Sequence, residues 1–181
     1  MFSKKITYLI IFTGIVILAV MFFNPYSYNS PNITIKDEFY ESYQTDVSMR
    51  EDYKEKCDFE NKNAITFPRT KPDKVFLHSN GLIKYKRRLD QNHVDELLTI
   101  LNDSANYVWG EFGTPEFQYY FTFVNAENKI IGITKIDLIG MAYSEPYIAK
   151  MKWGQLDKME KLHNLIYDIE DNSLLVLKYN H

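Results

Sequence analysis

A single cysteine, four scattered histidines and few glycines leave this 181-residue chain without most of the devices on which catalytic and cofactor chemistry is built. With Cys57 alone, an intramolecular disulfide is impossible and a thiolate metal site lacks partners. His78, His93, His163 and His181 form neither His-x-His, His-x-x-x-His nor His-Glu-x-x-His, so no metal is expected. Gly-rich phosphate loops and Gly-x-Ser-x-Gly are missing, which removes the usual signatures of nucleotide binding and of a serine nucleophile. No cofactor is expected. Positive charge is also short: net charge is −3, and beyond Lys5 it falls to about −5, against a general nucleic-acid or polybasic lipid-binding role.

Long apolar runs are rare too, and the one present lies at the beginning. Ile6 to Phe23 carries no charge and as a helix would be about 27 Å long, enough to cross a thin hydrocarbon core. A cleaved signal needs small residues after its apolar region, whereas this run ends Val20-Met21-Phe22-Phe23-Asn24-Pro25. The expectation is a retained transmembrane signal anchor. Lys4, Lys5 and the amino terminus precede it, and the first charges beyond it are Lys36, Asp37 and Glu38. That asymmetry places residues 1–5 in the cytoplasm and the remainder in the periplasm or cell exterior, as a single-pass protein. Lys outnumbers Arg 17 to 4 beside abundant Ile, Asn and Tyr, a usage that points to an AT-rich bacterial genome and so to a bacterial inner membrane.

Residues 24–63 read as spacer and stem. Pro25 and Pro31 bracket a short polar stretch that should not be helical. From Lys36 to Glu60, Phe39, Tyr43, Val47, Tyr53 and Cys57 recur at mostly four-residue intervals, the spacing of a helix with one narrow apolar face. Pro68 and Pro72 then open the main domain, placed at residues 64–181.

Within that domain, Asn80-Gly81 between Lys74–Ser79 and Leu82–Arg88 predicts a two-residue hairpin turn. Counting outward pairs His78 with Ile83 and Phe76 with Tyr85, which turns Phe76, His78, Ile83 and Tyr85 inward. Asn92-x-x-Asp95 resembles a capping box, and Val94, Leu97, Leu98 and Leu101 follow at helical spacing. Phe117–Val124 and Lys129–Leu138 predict a second hairpin around residues 125–128. A helix is expected from Leu156 to Glu170, with Leu156, Met159, Leu162, Ile166 and Ile169 inward, then a short strand over Leu174–Tyr179. The order implies an α+β fold: an N-terminal transmembrane helix, then a two-layer domain of antiparallel hairpins with two helices on one face.

Aromatic side chains are what the domain has in plenty. Tyr107, Trp109, Phe112, Tyr143, Tyr147 and Trp153 fall in segments read as loops beside Gly and Pro, and Tyr and Trp so placed concentrate interface energy. They are the expected partner-binding residues, whereas Phe117, Phe121 and Phe123 are better read as core. The basic stripe Lys84, Lys86, Arg87 and Arg88 reads first as a solvated strand face. The expected function is a membrane-anchored domain that binds another protein outside the cytoplasm, in one version an immunity protein against an envelope-targeting toxin. The alternatives are an accessory subunit of an envelope or secretion complex, and an envelope hydrolase built on acids such as Glu111 and Glu116.

Overall fold

The computed structural model describes residues 6, 8, 11–16, 52–80, 85–110 and 114–179, with 172–179 described by their backbone. In chain order the elements are helix α1 (Tyr53–Lys62), strands β1 (Lys74–Ser79) and β2 (Lys86–Arg88), helix α2 (Gln91–Asn102), strands β3 (Tyr119–Val124), β4 (Ile130–Asp137) and β5 (Met141–Glu145), and helix α3 (Glu160–Tyr179). Three-residue 3-10 turns follow α2 and β5, at Ser104–Asn106 and Ala149–Met151. The strands form one antiparallel sheet in the order β2-β1-β3-β4-β5. The fold is α+β.

The hairpin of β3 and β4 forms as its strand-rich composition predicts, pairing Tyr119 with Ile136 and Phe121 with Thr134. Phe121 and Phe123 lie on the helix-facing side with Val75, Leu77, Ile136 and Ala142, all fully buried. From α2, Val94, Leu97, Ile100 and Leu101 meet them, and from α3, Leu162, Leu165, Ile166 and Ile169. The 3.6-residue stripes of both helices therefore close one core over one sheet face. Each large apolar side chain buried there contributes about 1.5–3 kcal/mol relative to exposure.

The first hairpin departs from its expected register. His78 lies opposite Lys86 and Leu77 opposite Arg87, three residues further along β2 than a two-residue turn would place them. An odd shift exchanges the faces. Val75 and Leu77 turn to the helices, and Phe76 and His78 share the outer face with Lys86 and Arg88. The cause lies in the neighbouring strand: Asn80 donates its backbone N–H to Gln118 O (2.7 Å) and its side chain to Phe117 O (3.2 Å), so it extends the pairing with β3. Arg87 then reaches inward to the carbonyls of Ile169 and Glu170 at 3.2 and 2.8 Å. The turn residues 81–84 lie outside the described residues.

Three further expectations change. The cap of α2 is Asp90, whose carboxylate accepts from His93 N at 2.9 Å, not the later Asn92. Tyr143, read as part of a loop, lies in strand β5 (Met141–Glu145), because Gly140 at φ +143° closes a tight turn after β4 and Thr134 and Ser144 then bond across the pair at 2.8 Å. The strand expected at Leu174–Tyr179 is instead the end of α3, since no Gly or Pro interrupts the helix after Ile169. Leu156 lies before α3, in an isolated bridge with Tyr107.

Of the stem helix expected over 36–60, α1 is the described part, and residues 36–51 lie outside the described residues. Its Glu60 is fully buried and accepts from Ala149 N at 2.5 Å and Lys150 N at 3.3 Å, so α1 is clamped to the 3-10 turn after β5. Of Ile6–Phe23, only Ile6, Tyr8 and residues 11–16 are described, all helical. Among the described residues no helix is long and apolar enough to cross a membrane.

Candidate aromatic binding site

Three segments distant in sequence meet on one side of the domain. Trp109, after the 3-10 turn that follows α2, packs edge to face against Tyr53 of α1 (centroids 5.3 Å, 80°) and against Trp153 (5.0 Å, 82°). Such pairs add about 0.5–1.5 kcal/mol each beyond their buried area. Lys152 lies over the Tyr53 ring, 5.8 Å from its centroid, and donates to Tyr107 O. Trp153 remains 38% exposed at the end of this ladder. On the β4–β5 turn, Ile139 stands 84% exposed.

Backbone bonds hold the ladder. Val108 N donates to Gln155 O at 2.9 Å, Leu156 N to Gly140 O at 2.9 Å, and Ala142 N to Gly154 O at 2.8 Å, which ties the Trp109 segment, the Trp153 segment and β5 together. Lys152 at φ 50° and Gly154 at φ 84° reverse the chain on either side of Trp153. A Cβ at Gly154 would sit 2.7 Å from Ala142 O, so only glycine allows that approach. The result is a ledge of three packed aromatic rings with one cationic side chain over it.

The six residues singled out in the sequence divide. Trp109 and Trp153 come together in the ladder, as the central and exposed members. Tyr107 does not join them: it is 1% exposed and its hydroxyl donates to Leu101 O at 2.9 Å, so it is a core residue. Burial, and then Asp103, hold that hydroxyl well above the usual tyrosine range. Tyr147 is likewise buried, its carbonyl accepting from Arg69 Nη2 at 2.8 Å. Tyr143 lies on the outer sheet face with Lys135 6.0 Å from its ring, and Phe112 lies outside the described residues. Tyr53 was missed, because it was counted with the stem. The stem's own apolar stripe was the available signal, since such a stripe must be covered by something.

Around the ladder, burial shapes the ionisable groups. Burial pushes the Cys57 thiol up, away from the reactive thiolate, and Tyr53, to which it is hydrogen-bonded, is raised by burial and by that bond. Glu116 is exposed and Asp137 Oδ2 accepts its backbone N–H at 2.9 Å, while Glu111 lies outside the described residues. Among the described residues no three His, Cys, Asp or Glu side chains converge as a metal site. Of the basic stripe, Lys86 covers the Phe76 ring at 4.1 Å, Arg87 is turned inward and Lys84 lies outside the described residues. Concavities of about 430 and 480 Å³ open beside Arg69 and Asn102 and between Glu96 and Lys161, and neither is lined by a ladder residue. No protein-family model, curated protein or solved structure matches this chain.

Proposed function

We propose that this chain is a single-pass protein of a bacterial inner membrane, anchored through Ile6 to Phe23, whose α+β domain binds another protein in the periplasm. The observation that carries the binding reading is the Tyr53–Trp109–Trp153 ladder, with Trp153 partly exposed at its end. Aromatic anchors on a rigid frame are where binding energy concentrates, because they bury much area and lose little conformational freedom. The charge asymmetry about the apolar run supports the orientation, and the described residues of that run, among them Ile11, Phe12, Ile15 and Val16, are exposed apolar side chains that a bilayer would cover. The specific version is an immunity protein stationed where an envelope-targeting toxin arrives.

The test uses the full-length chain in membranes. Trp153→Ala should lower capture of the envelope partner about 30-fold, the effect of a hot spot of roughly 2 kcal/mol, while the Trp109 emission still reports a folded domain. Unchanged capture would remove the ladder from the interface. Protection of cells against a co-expressed envelope toxin, lost in the same variant, tests the immunity version. Capture of a resident envelope complex instead would favour an accessory subunit.

A further inference from the structure

We infer that α1 is a displaceable arm, and that its Tyr53 stands on Trp109 in the place an aromatic side chain of the bound protein takes when the arm lifts, which rests on the ladder being the binding site proposed above.

The composition of α1 sets how it is held. Seven of the ten residues of Tyr53–Lys62 are charged or amide, and its two buried side chains, Lys56 and Glu60, are a lysine and a glutamate. No α1 side chain enters the hydrophobic core, and Phe59 is left 36% exposed. Each of α2 and α3, by contrast, sinks four apolar side chains into that core. An element docked without apolar burial gives up little hydrophobic free energy on leaving, so it opens more readily than the core. Lifting also returns the fully buried Glu60 carboxylate to water, and its hydration offsets the bonds from Ala149 N and Lys150 N.

The base of the arm is built to turn. Asn63 and Ala64 follow α1 and are exposed, with Ala64 at φ 50°, a conformation that residues with a side chain rarely adopt. Phe67, three residues further on, is fully buried and pinned to α2: its N–H donates to Asn102 Oδ1 and its carbonyl accepts from Asn102 Nδ2, both at 2.7 Å. Motion of α1 therefore ends at Phe67 and leaves the core as it is.

What the arm covers suits one ring. Tyr53 meets Trp109 edge to face at 5.3 Å, and the Lys152 ammonium lies 5.8 Å from the Tyr53 centroid. An indole and an ammonium both attract an aromatic ring through its quadrupole, so a ring brought by another protein regains both contacts. The Tyr53 side chain is hydrogen-bonded to Cys57 of the same helix and leaves with it. Trp109 stays, because its neighbour Val108 is tied to Gln155 O. While docked, the arm competes with the incoming ring and lowers its apparent affinity by the fraction of chains that are open.

The test uses the full-length chain in lipid nanodiscs. Hydrogen exchange should show the α1 amides opening together, at least about 100-fold more often than those of Phe121 and Phe123 in β3. Protection of α1 equal to that of β3 would overturn the arm. p-Cresol serves as a free phenol ring: followed by the Trp109 indole N–H resonance, it should bind Tyr53→Ala about 10-fold more tightly than the unsubstituted chain, with β3 protection showing that both remain folded. Equal affinity would overturn the exchange of rings. Capture from solubilised envelope should likewise rise in Tyr53→Ala, and a fall would make Tyr53 a contact residue in its own right and refute its role as a cover. The binding reading fails separately, when Trp153→Ala leaves capture unchanged, whatever α1 and p-cresol do.

Discussion

Acidification should weaken this fold through one residue, His78. It lies between Phe76, Tyr120 and Thr122 on the outer face, where burial and then the positive charge of Lys86 lower its pKa from 6.5 to about 4. The unfolded chain therefore takes up a proton near pH 6.5 that the folded chain refuses until about pH 4. Stability from the neutral ring is complete above pH 6.5, declines as pH falls between these values and levels off below the lower one. At 1.36 kcal/mol per unit the whole effect is about 3 kcal/mol, and about 2 kcal/mol is lost between pH 7 and pH 5. Urea unfolding of the full-length chain in mild detergent, followed by the emission of Trp109 and Trp153, should show a midpoint lower by about 1 M at pH 5 than at pH 7 for a slope near 2 kcal/mol/M. His78→Gln keeps a donor toward Thr122 and removes the titration. Every other titratable group is common to both chains, so the difference in pH dependence isolates His78. Equal pH dependence in the two chains, or an NMR titration of the His78 ring near pH 6.5, would refute the reasoning.

Gly154→Ala should cost about 1–3 kcal/mol from its backbone conformation alone, with the contact to Ala142 O added. Thermal unfolding and a red-shifted Trp153 emission would show it, and a wild-type profile would mean that the reversal after Trp153 is not fixed by glycine. Glu60→Ala deprives Ala149 N and Lys150 N of their acceptor and should cost about 2–4 kcal/mol. Hydrogen exchange in α1 should then rise selectively, whereas uniform protection would show that α1 is held by other contacts.

Local signals in this sequence were legible wherever the covering partner is itself local. The stripes of α2 and α3 and the β3–β4 hairpin follow from spacing and strand-forming composition, and Phe121 and Phe123 fall in the core as read. The failures share a cause: each was decided by an element far away in sequence. Asn80-Gly81 favours a tight turn locally, but the pairing of Asn80 with Gln118 and Phe117 sets a wider one, and a three-residue shift moves Val75, Leu77, Phe76 and His78 to opposite faces. Tyr107 was legible as an aromatic beside a loop, and only the Leu101 carbonyl and the bridge to Leu156 make it core. Trp109 and Trp153 were both picked out, yet nothing local says that they touch or that Tyr53 completes them. Tyr143 was read as a loop residue because β5 has no strong composition of its own and exists by pairing with β4.

The ladder also bears on how the proposed anchor would be joined to the domain. Tyr53 enters it from α1, the element through which the chain arrives from its amino-terminal segment, and Glu60 locks that element to the turn preceding Trp153. Trp153 is therefore held against α1, and under the proposed anchoring it sits on the first element of the domain after the anchor, where a partner arriving at the same membrane meets it at raised effective concentration.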